Sequence, residues 1–199
     1  MKTTLLMLLI IASLNVFGKS FQKKKQGYLP GGIISLNNDT IAASIKKENI
    51  LKLQSEVKFI DAGGKKKSFK PGVISGFFMD TENGRVTFES RDDIRLSIFP
   101  SKDGNFILRL SDNIYPLYYF VTTKMENTGI ESEIIEVPHY MVLMDFRWYN
   151  YNEDSFETCT KLFSDDKALV KDIENGRYKF SDFPEIVERY CETIKAKHK

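Results

Sequence analysis

From Gly31 to Trp148 the chain alternates short apolar runs with clusters of turn formers, the pattern of β-strands joined by tight connections. Gly32-Ile33-Ile34-Ser35-Leu36 meets Asn37-Asn38-Asp39 and then Thr40 to Ile45, which predicts a hairpin. Val57 and Phe59 flank Lys58 ahead of a Gly63-Gly64 turn; Ser68-Phe69-Lys70 follows, and Pro71-Gly72 interrupts it. Val73 to Met79 and Arg85 to Glu89 flank Thr81-Glu82-Asn83-Gly84, a second hairpin pattern. Ile94 to Ile98 and Phe106 to Leu110 alternate on either side of Pro100 to Gly104. Leu117 to Thr123 and Tyr140 to Trp148 are apolar on both faces, as interior strands are, and the polar stretch Lys124 to Glu133 between them reads as a long, mobile loop.

After Tyr151 the hydrophobic period lengthens from two to about 3.6. Phe156, Cys159 and Phe163 fall on one helical face. Ser164 is placed to cap the next segment, Leu169 and Ile173 form its apolar stripe, and Asn175-Gly176 ends it. Asp182-Phe183-Pro184-Glu185 has the form of a capping box with proline in the first turn, and Ile186, Val187, Tyr190 and Ile194 form the stripe that follows. The expected fold class is α+β. An antiparallel β-sandwich or barrel-like domain spans residues 27–151, and a helical C-terminal segment, 152–199, docks on it.

The first 18 residues depart from both patterns. Lys2 precedes an apolar run from Leu5 to Leu14 broken only by Ser13, and Val16 and Gly18 are small enough to direct cleavage before Lys19. This predicts a signal peptide over 1–18 and a loose polar leader over 19–26. The apolar run is shorter than the roughly 20 residues a membrane-spanning helix needs, and no later segment approaches that length. Export makes an oxidising compartment the expected setting for Cys159 and Cys191, the only two cysteines. A bridge between them would close a loop of 33 residues, and the chain-entropy model gives about 3.7 kcal/mol for such a loop. Two buried free thiols are the alternative.

Two stretches resemble a known group. Gly32 to Ile41, Val57-Lys58-Phe59 and Lys67 to Phe77 are similar to the start of uncharacterised exported proteins of the Bacteroidota. Leu162 to Asp165, Ile173 to Gly176 and Phe183 to Val187 are similar to their helical tail, with Asp166-Lys167 where those proteins often carry Cys-Pro. The resemblance implies export to the periplasmic side of a Gram-negative envelope. It carries no established activity.

Candidate chemistry is sparse. The 29 cationic and 27 acidic residues nearly cancel, which gives no general electrostatic reason to expect nucleic acid as partner. Two histidines and two cysteines exclude zinc-finger arrays and iron–sulfur clusters, and neither cofactor nor metal is expected. No phosphate-binding glycine loop, nucleophile elbow or His-Glu-x-x-His occurs, so no catalytic residues are assigned, and His139 is the one placed imidazole. Two features point to binding. Lys65, Lys66 and Lys67, with Lys70, make a basic hairpin tip suited to phosphate or an acidic glycan. Trp148, Tyr149 and Tyr151 belong to a concentration of aromatics that can stack on sugars or fill a core. The expectation is an exported, non-catalytic protein that binds or scaffolds in the envelope, with an envelope protein or a glycan as partner. A glycan-binding module and a carboxylate-based hydrolase are the alternatives.

Overall fold

The structure is a computed structural model that describes residues 26–94, 103–127, 129 and 132–197. The export segment and the strand expected from Ile94 to Ile98 lie outside these residues, except for Ile94 itself.

Among the described residues, ten strands and three α-helices follow one another. They are β1 (Tyr28–Ile34), β2 (Thr40–Lys46), α1 (Ile50–Ser55), β3 (Val57–Ile60), β4 (Lys66–Phe69), β5 (Gly76–Thr81) and β6 (Gly84–Arg91). Then come β7 (Asn105–Ser111), β8 (Leu117–Asn127), β9 (Ser132–Met144), β10 (Arg147–Tyr151), α2 (Lys167–Glu174) and α3 (Phe183–Lys197). The strands form one antiparallel sheet in the order β10-β9-β8-β7-β6-β5-β1-β2-β3-β4. The α+β reading therefore holds. The sheet is not closed, since β10 and β4 are its two unjoined edges, and the sandwich or barrel arrangement is not seen among the described residues.

Alternation along the strands sorts side chains between two faces. On one face Ile33, Ile45, Phe77, Phe88 and Phe106 build a core with Leu53 of α1. On the same face, further along the sheet, the helical segment covers β8 to β10 through Leu117, Val142, Phe163, Leu169, Phe183 and Ile186. Full burial of such side chains contributes about 1.5–3 kcal/mol each. Between the two clusters the β7–β8 ladder parts beyond the Leu108–Tyr119 pair. There the buried Gln54 of α1 takes over strand pairing. Its Nε2 donates to the Val121 carbonyl and its Oε1 accepts from the Val121 N–H, both at 2.8 Å. The six-residue helix α1, which the hydrophobic pattern does not announce, thus ties the two halves of the sheet together.

Five local expectations need correction. The polar stretch Lys124 to Glu133 is not a long loop, because β8 runs to Asn127 and β9 starts at Ser132, in register from Leu117–Val142 to Asn127–Ser132. Tyr140 to Trp148 is not one strand. It folds back at Asp145-Phe146, both with positive φ (50° and 61°), so that Arg147 pairs with Met144. The Phe156–Cys159 stripe lies on a 3-10 helix, Glu153–Lys161, opened by reciprocal hydrogen bonds between Asn152 and Ser155. Asp166, not Ser164, caps α2 by accepting from the Leu169 N–H at 3.0 Å, and Asp182 accepts from the Lys179 N–H rather than capping α3.

The cysteine bridge is not formed. Cys159 and Cys191 are free thiols buried in the helical core, where each fills space as a small apolar group. Burial pushes the Cys159 thiol up to about 12 and raises that of Cys191, which keeps both protonated and unreactive near neutrality. No helix among the described residues is long and apolar enough to cross a membrane.

Candidate functional site

The face opposite the helices carries the polar chemistry. Phe88 and Leu108 turn inward on β6 and β7, so their neighbours Glu89 and Arg109 turn outward. Tyr118 sits opposite Arg109 on β8. These three join directly: Arg109 Nη1 donates to Glu89 Oε1 at 2.7 Å, and the Tyr118 hydroxyl donates to Glu89 Oε2 at 2.9 Å. Arg109 Nη2 pairs with Asp112, and the Arg109 Nε–H is left buried without a partner. An unmade bond of that kind costs about 1–3 kcal/mol.

A second set continues the row. Arg91 grips Asp93 with two N–H···O bonds of 3.0 and 2.7 Å and lies 4.0 Å from Glu89. Its guanidinium is also 5.0 Å above the Trp148 ring, whose indole N–H donates to Asp93 at 3.0 Å. Tyr118 closes the arrangement by an edge contact with Trp148, ring centres 5.3 Å apart. The electrostatics follow from these contacts. The Arg91 guanidinium holds the Asp93 carboxyl below its ordinary range. Burial, helped by the nearby Glu89 charge, pushes the Tyr118 hydroxyl up to about 12.

Glu89, Arg91 and Arg109 form one wall of an open cleft of about 540 Å³. Ile34, Leu36 and Asn38 from the β1–β2 hairpin and Ser75 ahead of β5 form the other wall. Between Ile34 and Glu89 in the sheet runs Gly76, which pairs with both. A Cβ there would lie 2.2 Å from the Phe88 carbonyl oxygen, so only glycine lets β5 run this close to β6. A cavity of similar size, about 600 Å³, lies under the helices, but its floor of Phe156, Ile173 and Phe180 is the back of the helical core, and the Asp172–Arg189–Tyr178 network reaches it through Tyr178 alone.

No family model, curated protein or solved structure matches this chain.

The residues singled out in the sequence are dispersed. Trp148 stands on the polar face beside the cleft, whereas Tyr149 and Tyr151 point into the helical core, Tyr151 being buried. Alternation along β10 therefore splits the aromatic trio, and the three form no common platform. Lys65, Lys66 and Lys67 are exposed at the β3–β4 hairpin, remote in the strand order from Trp148. His139 is held at both ring nitrogens, by Thr122 at 2.9 Å and Asn150 at 3.1 Å, and its burial lowers its proton affinity. Among the described residues, no three His, Cys, Asp or Glu side chains converge to hold a metal ion. Glu89, Arg91 and Arg109 were not singled out at all. Their signal was present as charged residues at the outward positions of otherwise apolar alternating strands.

Proposed function

We propose that this chain is an exported, non-catalytic binding protein of the cell envelope, whose cleft takes a neutral, hydroxyl-rich ligand such as a saccharide unit. The observation that carries the reading is the pairing of both cleft guanidiniums with carboxylates. Arg109 is held by Glu89 and Asp112, and Arg91 by Asp93, so the wall presents fixed donors and acceptors, with the Asp92 carboxylate also lining the cleft. An anionic ligand would have to break one of these pairs and meet the Asp92 charge. A polyol need only accept from the guanidinium edges and donate to the carboxylate edges. The Ile34 and Leu36 side of the cleft suits the apolar face of a sugar ring. Glu89 is engaged by Arg109 and Tyr118 together, which favours a structural carboxylate over a proton carrier.

The apolar start at Leu5 to Leu14 and the resemblance to exported Bacteroidota proteins support the location. Calorimetric titration against a panel of neutral and acidic saccharides tests the function. Binding of a neutral member that weakens at least about tenfold in Arg109→Ala supports it, since a lost charged hydrogen bond contributes about 1.5–3 kcal/mol. Turnover of a panel member that vanishes in Glu89→Gln would replace the reading with a hydrolase.

A further inference from the structure

The near-neutral total conceals a strong separation of charge along the chain. Residues 46–70 hold eight lysines against three carboxylates, whereas residues 71–199 hold 16 cations against 23 carboxylates. The sheet order places the first group at one end, on β2, β3 and β4, with β4 as the free edge. Lys58 faces Ser68 across the β3–β4 ladder, Tyr28 faces Lys46 across β1–β2, and with Lys66 these line one shallow depression.

The ion pairs of this end do not cancel its outward field. Lys46 pairs with Glu48 at 2.9 Å, Lys58 with Glu56 at 3.2 Å and Lys67 with Asp61 at 2.8 Å. In each pair the lysine is the more exposed partner, at 41, 45 and 50% against 8, 32 and 18% for the carboxylate. Carboxylates lie beneath and ammonium groups above. Lys65 and Lys66 add exposed charge with no carboxylate partner among the described residues. Each ammonium group carries three N–H donors, so an incoming anion can share the outward ones without breaking the pair beneath.

We propose that the β2–β4 edge is a docking face for a bilayer surface rich in anionic phospholipid. An array of ammonium groups on adjacent strands, spaced about 4.8 Å apart, meets a plane of phosphates better than it encloses one. Each lysine near such a surface adds attraction that dies away within a Debye length, about 8 Å at physiological salt. The acidic remainder of the chain is repelled by the same surface, so the charge separation also fixes orientation. The protein stands on its β4 edge. A second copy offering its acidic end is the competing occupant, but that head-to-tail contact does not close on itself and predicts open chains.

Vesicle co-sedimentation of the protein, in the form its own cells contain, tests the proposal. Phosphatidylcholine vesicles with about 30 mol% phosphatidylglycerol should bind at least about tenfold more tightly than pure phosphatidylcholine, and raising salt from about 0.05 to about 0.5 M should abolish the difference. Lys58→Glu combined with Lys66→Glu should remove at least about tenfold of that binding, whereas Lys171→Glu combined with Lys179→Glu, on the helical side, should change it less than about twofold. All four side chains are exposed, and thermal melting confirms folding of both variants. Equal binding to the two vesicle types, or indifference to the β3–β4 reversal, overturns the proposal. So does binding of dextran sulfate without vesicle binding, or self-association that the same reversal abolishes.

Discussion

The strands β8, β9 and β10 present two faces built from the same residue types, yet the faces behave differently. Toward the helices, Tyr140 stacks on Phe183 with ring centres 5.5 Å apart, and Tyr151 and Phe163 pack on Phe183 as well. Toward the cleft, Tyr118 and Trp148 are fixed by hydrogen bonds to Glu89 and Asp93, and His139 by Thr122 and Asn150. On the first face aromatic rings fill volume, so their number matters more than their identity. On the second, each ring serves as a polar handle whose partner is specified, so identity matters more than volume. A composition rich in Tyr and Phe is compatible with either role. Only the parity of each position along its strand assigns one.

The helical face should be the more expensive to break. Leu169 and Val187 are 0 and 1% exposed. Leu169→Asp or Val187→Asp leaves a carboxylate without hydration or partner and should destabilise the protein by at least about 4 kcal/mol. Denaturant unfolding checks this, and an unchanged midpoint in both variants would mean the stripes are not covered. Next in size is the junction between the halves. Gln54→Leu leaves the Val121 N–H and carbonyl buried without partners and should cost about 2–4 kcal/mol. Hydrogen exchange should show the Val121 amide losing protection ahead of Phe77 and Phe88.

Alkaline pH sharpens the comparison, because one buried tyrosine on each face titrates near 12. Tyr118 and Tyr151 are each raised from about 10 to about 12, chiefly by burial. A raised folded-state pKa favours the neutral phenol in the fold. Its contribution is complete below pH 10 and is lost as pH rises from 10 through 12. Melting temperature should fall across that window, and less steeply in Tyr118→Phe than in the parent protein. An identical slope in the variant would mean that Tyr118 is not desolvated.

The smallest effect concerns the β9–β10 turn. Asp145 and Phe146 both hold left-handed conformations, and the Phe146 ring is fully exposed at 101%. Asn-Gly satisfies such a two-residue turn without strain. Asp145→Asn with Phe146→Gly should therefore stabilise by about 1 kcal/mol, read as a higher melting temperature. This turn also shows where sequence reading stops. Tyr140 to Trp148 reads as one strand because Asp-Phe carries none of the glycine or asparagine that marks the β1–β2 and β5–β6 hairpins. Those hairpins, and the Leu169 and Val187 stripes, were legible because local composition alone determined them.

The polar stretch Lys124 to Glu133 misled for the opposite reason. A two-stranded ribbon exposed on both faces has the composition of a loop, and only its pairing makes it sheet. Cys159 and Cys191 are two buried free thiols, an outcome that spacing along the chain does not distinguish from a bridge. The cleft itself depends on β6, β7 and β8 lying side by side, so that Glu89, Arg109 and Tyr118 meet across ladders separated by up to 29 residues. Charged residues at outward strand positions signalled exposure but not partnership.

Two-dimensional NMR of the labelled protein, titrated with the tightest-binding neutral saccharide, tests the central claim most directly. The account predicts shift changes confined to Ser75, Glu89, Arg91, Arg109 and the Trp148 indole N–H, with the amides of Phe156, Ile173 and Tyr178 unmoved. Changes centred on the cavity under the helices, with the Trp148 indole signal unaltered, would contradict it.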